Sequence, residues 1–146
     1  MEKPIYLKVE KELDHSLEKV WNSVAVEFGN VADYNPSIKT SFIESEIQSG
    51  LGTIRHCDFQ TKGFIKESIT KWQENQYFEL SFTSSSVPMA VLRSRFTFTE
   101  KNHKTLLEQE FWYRMKPPFS LLSGLMKGKM RKTLVDGLMG LEKHLN

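Results

Sequence analysis

The sequence predicts an α+β fold in which one antiparallel sheet packs against a long C-terminal helix. The chain begins with a strand-like alternation of apolar and polar residues, changes to a helical period, and then returns to alternation over about six further segments. Short connections join these segments, which is typical of antiparallel neighbours. The end of the chain has a helical period again. Runs of strands followed by a helix favour an α+β architecture.

The N-terminal part contains one strand, one helix and an unusual loop. In IYLKVEKEL (residues 5–13), apolar and polar side chains alternate, which predicts a half-buried strand. From Leu17 to Phe28 apolar residues recur at three- and four-residue steps, which predicts a helix with Asp14 or Ser16 as its N-cap. The loop EFGNVADYNPS (residues 27–37) combines turn-forming residues with large apolar groups, which a solvated connector does not need.

Six further strands and one helix are predicted downstream. The helix follows Pro117 and Pro118, which suit a helix start, and its apolar residues recur over about 25 residues, or roughly seven turns. The predicted strands cover residues 41–46, 53–59, 64–72, 77–82, 90–100 and 105–115. No repeat, low-complexity run or linker divides the chain, so residues 1–146 are predicted to form one domain.

Strand alternation places three polar side chains on the inner face of the sheet. They are Arg55, Glu67 and Gln109. An unpaired buried charge is costly, so each of them needs a protein partner or a polar ligand. One interpretation is a buried Arg55–Glu67 pair whose hydrogen bonds Gln109 completes. The other is that Arg55 binds an anionic or carbonyl group of a ligand.

Composition excludes several classes of protein. The formal net charge is +2 and no aromatic–basic strand pattern is present, which disfavours nucleic acid as a partner. A single cysteine, Cys57, excludes an internal disulfide and fits a cytoplasmic protein. The N-terminus lacks the apolar core of a secretory signal, and no apolar run approaches the length needed to span a bilayer.

Little in the sequence points to catalysis. The four histidines are scattered, and none has a metal-ligand spacing with another histidine or with Cys57, so no metal site and no cofactor is predicted. His56 and Cys57 are adjacent in a strand and therefore point to opposite faces, which excludes a nucleophile–base pair. The only inner candidates for a general base are Glu67 and, more weakly, Tyr113. The balance is against an enzyme.

A basic cluster lies around the start of the C-terminal helix, with apolar residues between its members. One interpretation is a solvated helix face, and the other is a transient contact with an anionic membrane. The basic residues are Lys116, Lys127, Lys129, Arg131 and Lys132, and the apolar ones are Phe119, Leu121, Leu122 and Leu125.

The order and spacing of several short motifs resemble the START-like, helix-grip superfamily (SRPBCC), and within it the polyketide cyclase/dehydrase and lipid-transport proteins. The motifs run through nearly the whole chain. They are EKVW (18–21), FGN (28–30), YNP (34–36), GLGTIR (50–55), IKESI (65–69), VP (87–88) and the long last helix. The resemblance implies a curved sheet of about seven strands wrapped on the C-terminal helix, with two short helices after the first strand.

The resemblance also implies an apolar cavity between sheet and helix. It implies a small hydrophobic ligand such as a lipid, sterol or polyketide, or alternatively a cyclase- or hydrolase-like activity that uses Glu67 as acid/base in the same cavity. In this architecture a short helix is expected around residues 31–34, at the cavity mouth. The predicted ligand-binding residues are Tyr34, Arg55, Phe59, Glu67, Phe78, Leu80, Phe82, Phe96, Gln109, Phe111, Tyr113, Met126 and Met130.

Overall fold

The computed structural model describes residues 3–146 and contains a seven-stranded antiparallel sheet. The spatial order is β1-β7-β6-β5-β4-β3-β2, so the first strand pairs with the last. Register shifts interrupt the β2–β3, β4–β5 and β6–β7 ladders, and bulges of this kind bend a sheet. The strands are β1 (Ile5–Leu13), β2 (Ile38–Ile43), β3 (Ile54–Phe59), β4 (Phe64–Gln73), β5 (Tyr77–Ser85), β6 (Met89–Lys101) and β7 (Lys104–Met115).

Two short helical segments separate β1 from β2. Helix α1 (Leu17–Trp21) continues as a π-helical turn over Asn22–Val26, and a 3₁₀ helix follows at Phe28–Asp33. Ser16 is the N-cap, because its side-chain oxygen accepts a hydrogen bond from the Lys19 backbone N–H at 3.2 Å. The second segment begins earlier than predicted: Phe28 opens it and does not complete the first helix, since the backbone leaves helical geometry at Glu27.

The C-terminal helix is shorter than the predicted 25 residues. Helix α2 covers Lys127–Leu145, and the chain before it forms a 3₁₀ turn at Phe119–Leu122. The cause is Ser123, whose carbonyl accepts a hydrogen bond from the Tyr113 hydroxyl at 2.6 Å. Because the sheet holds this carbonyl, it is not available to a continuous helix, and Gly124, a weak helix former, comes next.

The core lies between the inner face of the sheet and the helices, as the alternation predicts. Its largest cluster joins α1, the π-helical turn and the C-terminal half of α2 to the inner face of the sheet. A second cluster surrounds Leu7, Phe111 and Tyr113, and a third surrounds Cys57 and Ile65. Leu92 packs against all three clusters and therefore lies near the centre of the interior.

Candidate functional site

A cavity of about 230 Å³ lies between the inner face of the sheet and helix α2. Strands β3 to β7, the segment around Tyr34 and the middle of α2 supply its wall, which is mainly apolar. Most of the side chains that the sequence assigned to a ligand site lie along it. They are Tyr34, Arg55, Phe59, Glu67, Phe78, Leu80, Phe96, Gln109, Phe111 and Met130.

Three of the predicted site residues lie beside the cavity instead. Phe82 packs against the second and third core clusters, and Met126 packs against the second. Tyr113 is fully buried, and its hydroxyl is used to hold Ser123. These side chains adjoin the wall, because the period of a strand or a helix assigns a face but not a position relative to the cavity.

Sequence reasoning missed much of the wall, including two groups of residues outside the sheet. One comes from the loop after the 3₁₀ helix, where Asn35 and Ser37 contribute polar groups. The other comes from α2, where Thr133, Leu134 and Leu138 line the cavity. The helical period already placed the two leucines on the apolar face of α2. The loop is unusual in sequence and Asn35 lies in the YNP motif, but neither feature indicates that Asn35 and Ser37 line the cavity, because their position depends on how the loop packs against the helix.

The polar centre of the cavity is the Arg55–Glu67 pair. The two residues are directly opposite each other on β3 and β4, and Arg55 Nε donates to Glu67 Oε1 at 3.0 Å. They are only 8% and 9% exposed. Arg55 Nη1 also donates to the Phe28 carbonyl at 3.1 Å, and its guanidinium carbon lies 3.9 Å from the centre of the Phe28 ring. The predicted pair is therefore present, but Phe28 completes its contacts and Gln109 does not.

Part of the guanidinium is available to a ligand. The group carries five N–H donors, and its two hydrogen bonds to other described residues use one each. Burial is the largest single influence on the pKa of Arg55 and lowers it, but the negative charge of Glu67, the ionisable groups of Cys57 and Tyr34 and the hydrogen bond to Glu67 together outweigh burial and raise this pKa. The side chain is thus a cation, balanced by Glu67, that lines the cavity with N–H groups to spare.

Tyr34 and Gln109 are further polar side chains of the cavity wall. Burial raises the pKa of Tyr34 to about 12, so its hydroxyl is a neutral hydrogen-bond donor at physiological pH. Gln109 Nε2 donates to Ser94 Oγ at 3.2 Å, and Ser94 Oγ in turn donates to the Glu110 carbonyl at 3.2 Å. Within residues 3–146 the Gln109 side-chain carbonyl has no hydrogen-bond partner. The cavity therefore offers donors from β3 and an acceptor from β7.

Cys57 and His56 do not form a reactive pair. Cys57 is buried among Val31, Ile38 and Ile65, and burial raises the pKa of its thiol to about 11. His56 lies on the other face of β3, where its ring stacks between Phe42 and Phe64. A thiol that remains protonated is a poor nucleophile, so Cys57 acts as a small apolar group in the core.

The raised pKa of Cys57 predicts a loss of stability at alkaline pH. In the unfolded chain the thiol ionises near pH 9, whereas in the folded chain it ionises near 11. Its contribution is therefore complete below pH 9 and is lost as the pH rises towards 11. Between pH 8 and 10.5 we expect the free energy of unfolding to fall by about 2 kcal/mol more in the native sequence than in Cys57→Ala. Urea unfolding at both pH values measures this difference, and equal losses would show that the thiol is not shielded.

The described part of the chain, residues 3–146, contains neither a cluster of metal-binding side chains nor a helix that could span a membrane. No group of three or more His, Cys, Asp or Glu side chains within residues 3–146 is arranged to hold a metal ion. In the same residues, no helix combines the length and the apolar character needed to cross a bilayer.

Solved structures of similar shape support the helix-grip architecture. A START superfamily protein from Mycobacterium smegmatis is 18% identical, with a TM-score of 0.77 over 97% of this chain and 99% of that one. XoxI from Bacillus cereus is 19% identical, with a TM-score of 0.75 over 96% and 94%. The major latex-like protein 151 of Panax ginseng is 13% identical, with a TM-score of 0.74 over 98% of both chains. The predicted START-like fold is thereby confirmed.

The family follows from the sequence match. No curated protein matches this sequence. The model of one family, described as polyketide cyclase / dehydrase and lipid transport, matches residues 5–146. This range includes all seven strands, both α-helices and every described residue of the cavity wall. The chain therefore belongs to the polyketide cyclase/dehydrase and lipid transport family.

Proposed function

We propose that the protein binds a small hydrophobic ligand in the cavity between the sheet and α2. The observation that carries the proposal is a mainly apolar cavity in which one buried ion pair retains unused hydrogen-bond donors. Apolar walls supply affinity by excluding water, and a few fixed polar groups orient the ligand. Membership of a family described by lipid transport supports the same function.

The size of the cavity favours a compact ligand. An apolar cavity of about 150 Å³ holds benzene, and sites for drug-sized molecules occupy roughly 300–1,000 Å³. A cavity of about 230 Å³ lies between these two cases. A molecule with one or two rings, or a single short chain, fits this volume better than a lipid with two full acyl chains.

The charge balance favours a neutral polar group on the ligand. Arg55 and the neutral hydroxyl of Tyr34 offer donors, so an oxygen acceptor is the matching group. A ligand carboxylate bound to Arg55 would lie close to the Glu67 carboxylate, and like charges repel strongly away from water. We therefore propose that a carbonyl or hydroxyl oxygen of the ligand is held by Arg55.

A variant that fills the cavity tests this function. Leu92 lines the cavity, and Leu106, its matched control, lies on the outer face of β7. Native mass spectrometry followed by solvent extraction is expected to detect an apolar molecule with the unmodified protein and with Leu106→Trp. Leu92→Trp is expected to lose it, because the indole occupies the ligand's volume. Absence of any extracted molecule, together with failure to bind a panel of lipophilic dyes, would reject the proposal.

Acid/base catalysis by Glu67 is the alternative function. Glu67 lies in the cavity, and only one of its two oxygens bonds to Arg55, which leaves the second available to a substrate. If a substrate turns over, Glu67→Gln is expected to abolish turnover while retaining substrate binding. Unchanged turnover would exclude Glu67 as the base.

We propose a cytoplasmic location, because the single cysteine, Cys57, is a free and buried thiol. The membrane contact predicted from the basic residues concerns a surface that is separate from the cavity interior.

A further inference from the structure

The segment before helix α2 exposes apolar side chains to an unusual degree. Leu121 and Leu125 are 82% and 83% exposed, and Phe119 and Leu122 are each 46% exposed. We call residues 119–125 the apolar tip. Single exposed apolar residues are common on soluble proteins, but four of them between positions 119 and 125 indicate an interaction surface.

The exposure of the apolar tip is fixed by a buried anchor. Ser123, in the middle of the tip, is buried. Its side-chain oxygen accepts from the Met115 backbone N–H at 3.1 Å, and its carbonyl accepts from the Tyr113 hydroxyl at 2.6 Å. Both partners lie on β7. Because Ser123 is held against the sheet, the leucines on either side of it are directed outwards.

Positive charge surrounds the apolar tip. No acidic residue occurs between Glu110 and Asp136 in the sequence. Lys132 pairs with Asp136 at 2.8 Å, and Arg131 donates to the Lys8 carbonyl. Within residues 3–146, Lys116, Lys127 and Lys129 form no ion pair and are exposed. Their charges are therefore available to an external anion.

We propose that the apolar tip inserts into the surface of an anionic phospholipid membrane while the surrounding lysines contact its headgroups. Aliphatic side chains gain free energy in the acyl region, and each nearby lysine adds attraction to anionic lipid. The combination of projecting leucines and unpaired cations matches this surface better than a protein partner, whose contact would be enriched in aromatic residues and depleted in lysine.

The apolar tip lies next to the wall of the cavity in the chain. Met126 follows the tip and packs in the second core cluster, and Met130, one turn further along, lines the cavity. Docking through the tip therefore places one wall of the cavity next to the bilayer. The proposal goes beyond ligand binding, since the tip can dock whether or not the cavity is occupied.

Vesicle sedimentation of the full chain tests the proposal with two pairs of variants. The apolar pair is Leu121→Ser/Leu125→Ser, with Ile47→Ser/Leu51→Ser as a control for exposed apolar residues elsewhere. The charge pair is Lys127→Ser/Lys129→Ser, with Lys62→Ser/Lys101→Ser as its control on exposed lysines. The vesicles contain either phosphatidylcholine alone or phosphatidylcholine mixed with phosphatidylglycerol.

The native sequence is expected to sediment with the anionic vesicles and to be released by salt. The charge pair is expected to bind about thirtyfold more weakly, and the apolar pair at least tenfold more weakly, while both controls bind normally. Absence of binding by the native sequence, or equal losses in the controls, would overturn the proposal. A third outcome would also overturn it: the native sequence self-associates in solution, the apolar pair does not, and neither binds vesicles. The apolar tip would then be a contact between copies of the chain.

Discussion

Replacing Glu67 with alanine is expected to lower the free energy of unfolding by about 3–5 kcal/mol. The change leaves Arg55 buried in a mainly apolar cavity without its counter-charge. The Phe28 carbonyl and ring hold the guanidinium in place and cannot neutralise it. The loss should therefore resemble that of breaking a buried ion pair and exceed that of removing one hydrogen bond, which is about 1 kcal/mol.

Urea unfolding at neutral pH measures this effect, and two further variants show its cause. Glu44 pairs with Lys66 at the surface at 2.8 Å, so Glu44→Ala is expected to cost less than 1 kcal/mol. Arg55→Met/Glu67→Leu removes both charges and should recover most of the stability lost in Glu67→Ala. If Glu67→Ala lowers the free energy of unfolding no more than Glu44→Ala does, the Arg55–Glu67 pair is well solvated. Its charges would then give no reason to expect a neutral group on the ligand.

Replacing Gly140 with alanine is expected to destabilise the protein by about 1–3 kcal/mol or more, although alanine is the better helix former. A Cβ atom built at this position overlaps the backbone carbonyl of Tyr34 and lies 3.2 Å from Pro36 Cδ. Backbone atoms cannot move aside as a flexible side chain can. The loop that carries Tyr34 and Asn35 must therefore shift away from α2, and the cavity wall shifts with it.

Gly128 provides the matched control in the same helix. A Cβ built there has no neighbouring atom within 4 Å, so Gly128→Ala should stabilise the protein by about 0.5–1 kcal/mol. Thermal unfolding of the two variants is expected to give shifts of opposite sign. Gly140→Ala should also retain less ligand than Gly128→Ala. A stabilising effect at both positions would mean that the loop does not pack closely against α2.

These two variants concern features that the sequence predicts to different degrees. Strand alternation places Arg55 and Glu67 on the inner face, because the two-residue period of a strand depends on local geometry alone. Nothing in the sequence distinguishes Gly140, which touches a loop far away in the chain, from Gly128, which faces open space. Tertiary contacts of this kind have no local signal.

The start of α2 is a second feature that the sequence alone does not predict. Apolar residues recur at helical spacing from Phe119 onwards, and the period alone predicts one continuous helix. In the structure the continuous helix is interrupted at Ser123. Its carbonyl and its hydroxyl accept hydrogen bonds from Tyr113 and Met115, which lie on β7. The cavity too could be expected only from the resemblance, since its volume depends on the distance between α2 and the sheet.

The pairing of β1 with β7 has a consequence for the order in which the protein folds. Ile5 on β1 pairs with Tyr113 on β7, so β1 has no partner strand until nearly the whole sheet has been synthesised. Helix α2, which covers the inner face, is the last element of the chain. Until β7 has emerged from the ribosome the nascent chain carries an unpaired strand, and until α2 follows it carries an uncovered apolar face. Such late, long-range closure slows folding and exposes intermediates to aggregation.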